Sequence, residues 1–209
     1  GVADTNPGTS ADIVILALSP LTVGANVTAA GAITLTAGEI DNAPLCTDDL
    51  TVLDGIQVTS DAAGVTLRAG DDVIVRGPVT GATGVTMRSQ FEDLDGCGSI
   101  EATQPIQGEN IVLESPADIT IQTIIATESL VLRAGTGGEG SILDGNGAEV
   151  NIVANTLTLE VANDIDIDVD VDVLASARST EGGNIDIDDL FGGMQVVEAI
   201  TADGNLVLN

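Results

Sequence analysis

Histidine, lysine, tryptophan and tyrosine are absent from this chain of 209 residues, and only two phenylalanines and two cysteines occur. Without histidine the commonest general base and the usual transition-metal ligand are missing, and no serine or cysteine nucleophile can have a histidine partner. Without lysine, five arginines face 33 acidic residues, for a formal net charge of −28. That balance excludes a basic patch for nucleic acid or anionic lipid. The arginines (68, 76, 88, 133 and 178) read as scattered, with Arg68 and Arg88 forming a ladder rather than a site. No run of about 18 apolar residues occurs, so no membrane-spanning helix is expected. The scarcity of aromatics argues against an ordinary globular core and against aromatic sugar subsites. Disorder, the usual reading of high net charge, conflicts with a 44% hydrophobic content in periodic alternation.

What is present is a repeat. The stretch GVTLRAGDDVIVRGPVTGAT, residues 64–83, begins again at once as GVTMRS, so that Val65, Leu67 and Arg68 return 20 residues later as Val85, Met87 and Arg88. Fixed-period self-similarity marks a repeat architecture. Val65, Leu67 and Ala69 alternate with Thr66 and Arg68, the period of a strand with one buried face. Gly70-Asp71 and Gly77-Pro78 supply turns around a second short strand at Val73–Arg76. One coil therefore reads as strand, turn, strand, turn. Ile13 and Ile15 lie 20 before Ile33 and Leu35; Ile111 and Leu113 lie 19 before Leu130 and Leu132; these lie 20 before Val150 and Ile152; and Ile185 and Ile187 lie 21 before Leu206 and Leu208. Longer intervals of 32 (Ile33 to Val65), 26 (Val85 to Ile111) and 35 (Val150 to Ile185) imply inserted loops or uneven coils. The expected fold is all-β: a single-stranded parallel β-helix (β-solenoid) with about 20 residues per coil and eight to ten coils. Residues 1–10 read as an irregular lead-in and residues 11–209 as the solenoid, with inserted loops near 38–50 and 90–100. Gly135 to Gly147 reads as the turn part of one coil.

The phrases GVTLRAGDD and GAITLTAGE resemble the repeats of filamentous-haemagglutinin-type and autotransporter-like adhesins. That resemblance covers most of residues 11–209 and implies a right-handed parallel β-helix built as a rigid, secreted surface rod. The chain opens on glycine rather than methionine, which predicts removal of an upstream signal peptide. Two cysteines in such a chain fit an oxidising compartment, so an extracellular or cell-surface location is expected. The sequon at Asn26 is short enough to arise by chance.

Cys46 lies 13 residues after Ile33 and Cys97 lies 12 after Val85, so both leave the solenoid at nearly the same angular position. A Cys46–Cys97 disulfide is therefore expected. In NDIDIDVDVDV, Ile165, Ile167, Val169, Val171 and Val173 share one face and the intervening aspartates the other. Asp166 and Asp168 recur 20 later as Asp186 and Asp188. Stacked about 4.8 Å apart, these like charges repel, and calcium bridging them would reverse that term. Asp164, Asp170, Asp172 and Asp189 could complete such sites. The competing account is a solvated acidic face screened by high salt, which also suits a halophile.

Enzymatic candidates are the paired carboxylates Asp48-Asp49, Asp71-Asp72 and Asp188-Asp189, the minimum for a polysaccharide hydrolase; the missing aromatic subsites weigh against one. An ice-binding threonine face is broken where Thr66 and Thr86 are followed by Arg68 and Arg88. The expected role is non-catalytic: a structural secreted solenoid, part of a filament, adhesin or extracellular matrix, associating end to end. The alternative is a carbohydrate- or cell-binding adhesin module that uses its inserted loops.

Overall fold

Every second residue of the repeats is apolar, and the computed structural model winds those residues into one narrow interior. The structure describes residues 2–3, 11–39, 46–92 and 96–209. The expected lead-in and both expected inserted loops therefore lie partly outside the described residues. No helix occurs among the described residues; 21 strands form one sheet whose neighbouring coils pair in parallel. The chain is a parallel β-helix.

Each coil has three sides, here termed A, B and C. In the repeat that starts at Gly64, strand Gly64–Ala69 lies on A, Val73–Val75 on B, and the start of Val79–Arg88 on C. The second half of that last strand is the next A rung, with Val85 paired to Val65 and Met87 to Leu67. The third side is invisible to turn signals, because C runs into A without a break. At that junction the register slips between Gly81 and Gly84. Gly84 has a φ of 149°, and a Cβ there would run into the Asn110 carbonyl, so the corner requires glycine.

The B side gives the clearest coil count. Its nine rungs start at Leu21, Leu50, Val73, Ile100, Ile119, Ile142, Ile165, Ile185 and Leu206, each in register with the next. Nine falls within the expected eight to ten. Coil length is less regular than the 20-residue repeat suggests, because the corners differ in size. Leu130 pairs with Leu157, not with Val150, and Ile142–Asp144 inside the glycine-rich stretch is a B strand. Ile185 also belongs to B, not to the A column that Val65 and Ile111 share. The expected 35-residue interval therefore joined two different sides.

The interior is built of Ile, Leu, Val, Ala and one Met, in columns such as Leu35, Leu67, Met87, Leu113, Leu132 and Leu159, all fully buried. Burying each such side chain contributes about 1.5–3 kcal/mol. No aromatic is among the buried residues. The bend into B is held by a polar ladder. Asp49 accepts from the Asp72 backbone N–H (3.2 Å) and Asp72 from that of Ser99 (2.6 Å); Asp164 accepts from Asn184 N–H (2.7 Å) and Asn184 from Asn205 N–H (3.1 Å). Short acceptors recur before B strands because each satisfies an amide of the next coil.

Candidate functional site

Strand Ile165–Ser179 is one unbroken run of 15 residues that passes B, C and A in turn. Its Ile and Val residues face inward, Ile165, Ile167, Val169 and Val171 fully buried and Val173 half-buried. Because the strand turns two corners, its aspartates do not share one flat face. Asp166 and Asp168 stand on the B side, in register with Asp186 and Asp188. Asp170 and Asp172 have passed on to a separate shallow cavity with Val153 and Ala154. Asp164 is committed to the corner ladder. Asp189 sits in register with inward-facing Val169, and both of its carboxylate oxygens are buried without a hydrogen-bond partner.

Four carboxylates are thus brought together: Asp166, Asp168, Asp186 and Asp188. Partial burial, then the charges of Asp186 and Asp144, raises the Asp166 pKa above the ordinary carboxylate value; partial burial, then Asp144 and Asp188, raises that of Asp168. Asp144 has no place in the sequence pattern, since it ends a B strand hidden inside the glycine-rich stretch. A cavity of about 280 Å³ lies beside the ladder, lined by Asp164, Asp166, Asn184 and Asp186. The arrangement can offer carboxylate oxygens of two strands to a hard cation. Asp188 also accepts from the Asn209 amide at 2.6 Å.

A second acidic group has no counterpart in the sequence reading. Carboxylate oxygens of Glu39, Asp48 and Asp71 lie within 4.8 Å of one another, the only such trio among the described residues. Asp71 is 1% exposed, and its Oδ2 accepts from the Asp48 backbone N–H at 2.6 Å; Ser19 Oγ donates to Asp48. The group flanks the Cys46–Cys97 disulfide, whose Cα atoms are 5.6 Å apart and which joins corners two coils apart. Burial raises the pKa of neighbouring Asp49.

Within each pair weighed as hydrolase carboxylates the two neighbours enter different surroundings, while Asp48 and Asp71, from two different pairs, meet. In Asp48-Asp49 and Asp71-Asp72 one member enters the acidic trio and the other the corner ladder. Asp188 faces outward and Asp189 inward.

The arginines are not scattered. Four of the five occupy one outward column of the A side, which runs Leu16, Thr36, Arg68, Arg88, Glu114, Arg133, Glu160, Arg178, Ile200. Arg133 bridges Glu114 (2.8 Å) and Glu160 (3.5 Å), and Arg178 holds Glu198 at 2.6 Å, lowering the Glu198 pKa. The guanidinium of Arg68 lies 4.8 Å above the centre of the Phe91 ring. The threonine ranks are interrupted in this column as expected, Thr36 being followed by Arg68. Among the described residues no helix is long and apolar enough to cross a membrane. No protein family matches the chain, and no curated protein or solved structure matches it either.

Proposed function

We propose that the chain is a non-catalytic, secreted structural rod, a subunit or segment of a cell-surface filament or extracellular matrix, which elongates by end-to-end association of copies. The placement of exposed apolar surface carries this reading. Among the described residues twelve large apolar side chains are strongly exposed, and ten of them lie at 14–18 or 190–207. Val14, Leu16 and Leu18 are 71–77% exposed on the first A rung; Phe191, Val197 and Ile200 are 50–65% exposed in the last coil. Charge follows the opposite pattern. Residues 13–38 carry none, and residues 190–209 carry only Glu198 and Asp203, whereas the middle coils are densely acidic. Acidic sides repel one another laterally, while apolar ends whose A and B edges meet no further strand among the described residues attract.

The two ends also match in register. Ile200 closes the outward column that Leu16 opens, and Leu206 closes the inward B column that Leu21 opens. A second copy stacked head to tail sets Ile200 beside Leu16 and Leu206 beside Leu21, and such a contact propagates without closing. Inward-pointing Asp189 blunts the C side, so pairing uses A and B. The disulfide suits an oxidising, extracellular setting. The resemblance to filamentous-haemagglutinin-type adhesins supports a surface rod. The acidic B-side ladder is proposed to take up calcium, which would relieve its repulsion.

Sedimentation velocity over a range of concentrations tests the reading. The wild-type sedimentation coefficient should climb with concentration, and Leu16→Glu with Ile200→Glu should hold the protein monomeric. A wild-type protein that stays monomeric throughout overturns end-to-end association and leaves a short adhesin module as the better account.

A further inference from the structure

Aspartates hold many of the corners: Asp12, Asp49, Asp72, Asp118 and Asp164 each accept a backbone N–H of the next coil. Asn26 does the same at the corner between B and C, where its Oδ1 accepts from the Gln57 N–H at 2.9 Å. An aspartate would serve that contact equally well, since only an oxygen is used. What asparagine adds is Nδ2, and among the described residues the Nδ2 of Asn26 meets no acceptor. Other corner asparagines use theirs. Asn151 Nδ2 donates to Asp144 (2.8 Å) and Asn146 (2.9 Å), and Asn205 Nδ2 donates to Asn184 (3.2 Å).

Asn26 also heads the one Asn-x-Ser/Thr triplet of the sequence, Asn26-Val27-Thr28. The fold sorts its three residues by face. Val27, 3% exposed, opens the C-side strand Val27–Ala29 and points into the core. Asn26 is exposed and Thr28 half-buried, and the two-residue period of the strand turns both outward. The two side chains that define the triplet thus share the solvent side, and the position free to vary is the one buried. Gly24 and Ala25, just before Asn26, are exposed as well, so the approach along the chain is open.

We propose that Asn26 carries an N-linked glycan. In the step that installs it, Nδ2 forms a bond to C1 of a sugar carried on a diphosphate. The C1–O bond to the diphosphate breaks, the diphosphate leaves with that electron pair, and Nδ2 gives up one proton. Oδ1 takes no part, so the contact with Gln57 that fixes the corner survives the modification. The position also has a use for a glycan. Residues 13–38 carry no charge, so this coil lacks the acidic groups that hydrate and separate the middle coils. A sugar on the corner between B and C supplies hydration there and leaves the A and B edges clear. Glycosylation at this position rests on the secreted reading of the chain and not on end-to-end association.

Protein recovered from its own cells, separated into medium, surface and cytoplasmic fractions, tests this by intact mass and by mass spectrometry of the peptide that contains Asn26. The wild-type mass should exceed that of the polypeptide by one glycan, located on Asn26. Thr28→Val, a residue suited to a strand, should lose the glycan, and Thr28→Ser should keep it. Asn26→Asp, whose oxygen can still accept from Gln57, should lose it too, with the fold intact by circular dichroism. An unmodified Asn26 peptide in every fraction overturns the proposal, and so does a glycan that survives Thr28→Val. Recovery from the cytoplasm alone overturns the secreted reading instead, so the two can fail separately.

Discussion

At the scale of single residues, the same alternation that builds the core also sets its costs. Asp166 and Asp168 have raised pKa values because partial burial and neighbouring aspartates penalise their charged forms. A carboxyl whose folded pKa lies above its unfolded value of about 3.9 favours the fold below that value and loses this contribution as pH rises through the folded value. In low salt without divalent cations the thermal midpoint should therefore fall as pH climbs from about 4 to 7. Glu198, shifted the other way by its hydrogen bond from Arg178, loses its contribution only as pH falls through its lowered pKa. Calcium at pH 7 should raise the midpoint far more than sodium at equal ionic strength, and Asp168→Asn with Asp188→Asn should abolish the difference. A calcium effect that survives those substitutions would move the cation to Glu39, Asp48 and Asp71. Asp189 is a different case: an inward carboxylate in register with Val169, its oxygens unpartnered. Asp189→Val should stabilise the fold by about 1–3 kcal/mol, read from denaturant midpoints, and should strengthen end-to-end association; a destabilised variant would contradict this account of the position.

At the scale of elements, the Cys46–Cys97 bridge ties two corners across the coil between them, with 51 residues from one cysteine to the other. By the chain-entropy estimate a closed loop of that length adds about 4 kcal/mol. Reduction should lower unfolding free energy by up to that amount, measured by denaturant titration with and without reductant; an unchanged midpoint would mean the two corners are held together without it. This bridge was legible in the sequence because both cysteines follow an A-side anchor by nearly the same distance. The pairing of Asp166 with Asp186 was legible for a similar reason, as no insertion intervenes. Corners of variable length hid the rest. Val150 sits at the expected 20-residue step after Leu130, yet Leu157 is the partner, because the corner after Ala134 contains the B strand Ile142–Asp144. Arg88, Arg133 and Arg178 are 45 residues apart in turn, each step spanning two uneven coils, so their shared column has no short period to betray it. Glu39, Asp48 and Asp71 meet only because the fold closes a corner around them. The C side left no mark in the sequence reading, since Val79–Gly81 passes into the next A strand without a turn.

At the scale of the whole molecule, the chain is a short rod with acidic flanks and apolar, charge-poor ends. Nine B-side rungs at about 4.8 Å give roughly 43 Å of rod per copy. In the proposed head-to-tail stacking the rung spacing would continue across each junction, because Leu206 and Leu21 occupy equivalent places in one column. Lateral aggregation is opposed by a net charge of −28, so the assembly should be a single filament rather than a sheet. Cryo-electron microscopy of the concentrated protein tests this most directly. The account predicts unbranched filaments one solenoid wide, with an axial repeat of about 43 Å per subunit and an unbroken 4.8 Å rung spacing through the junctions. Isolated rods of one-subunit length at every concentration, or filaments in which the rods lie across the axis, would contradict it.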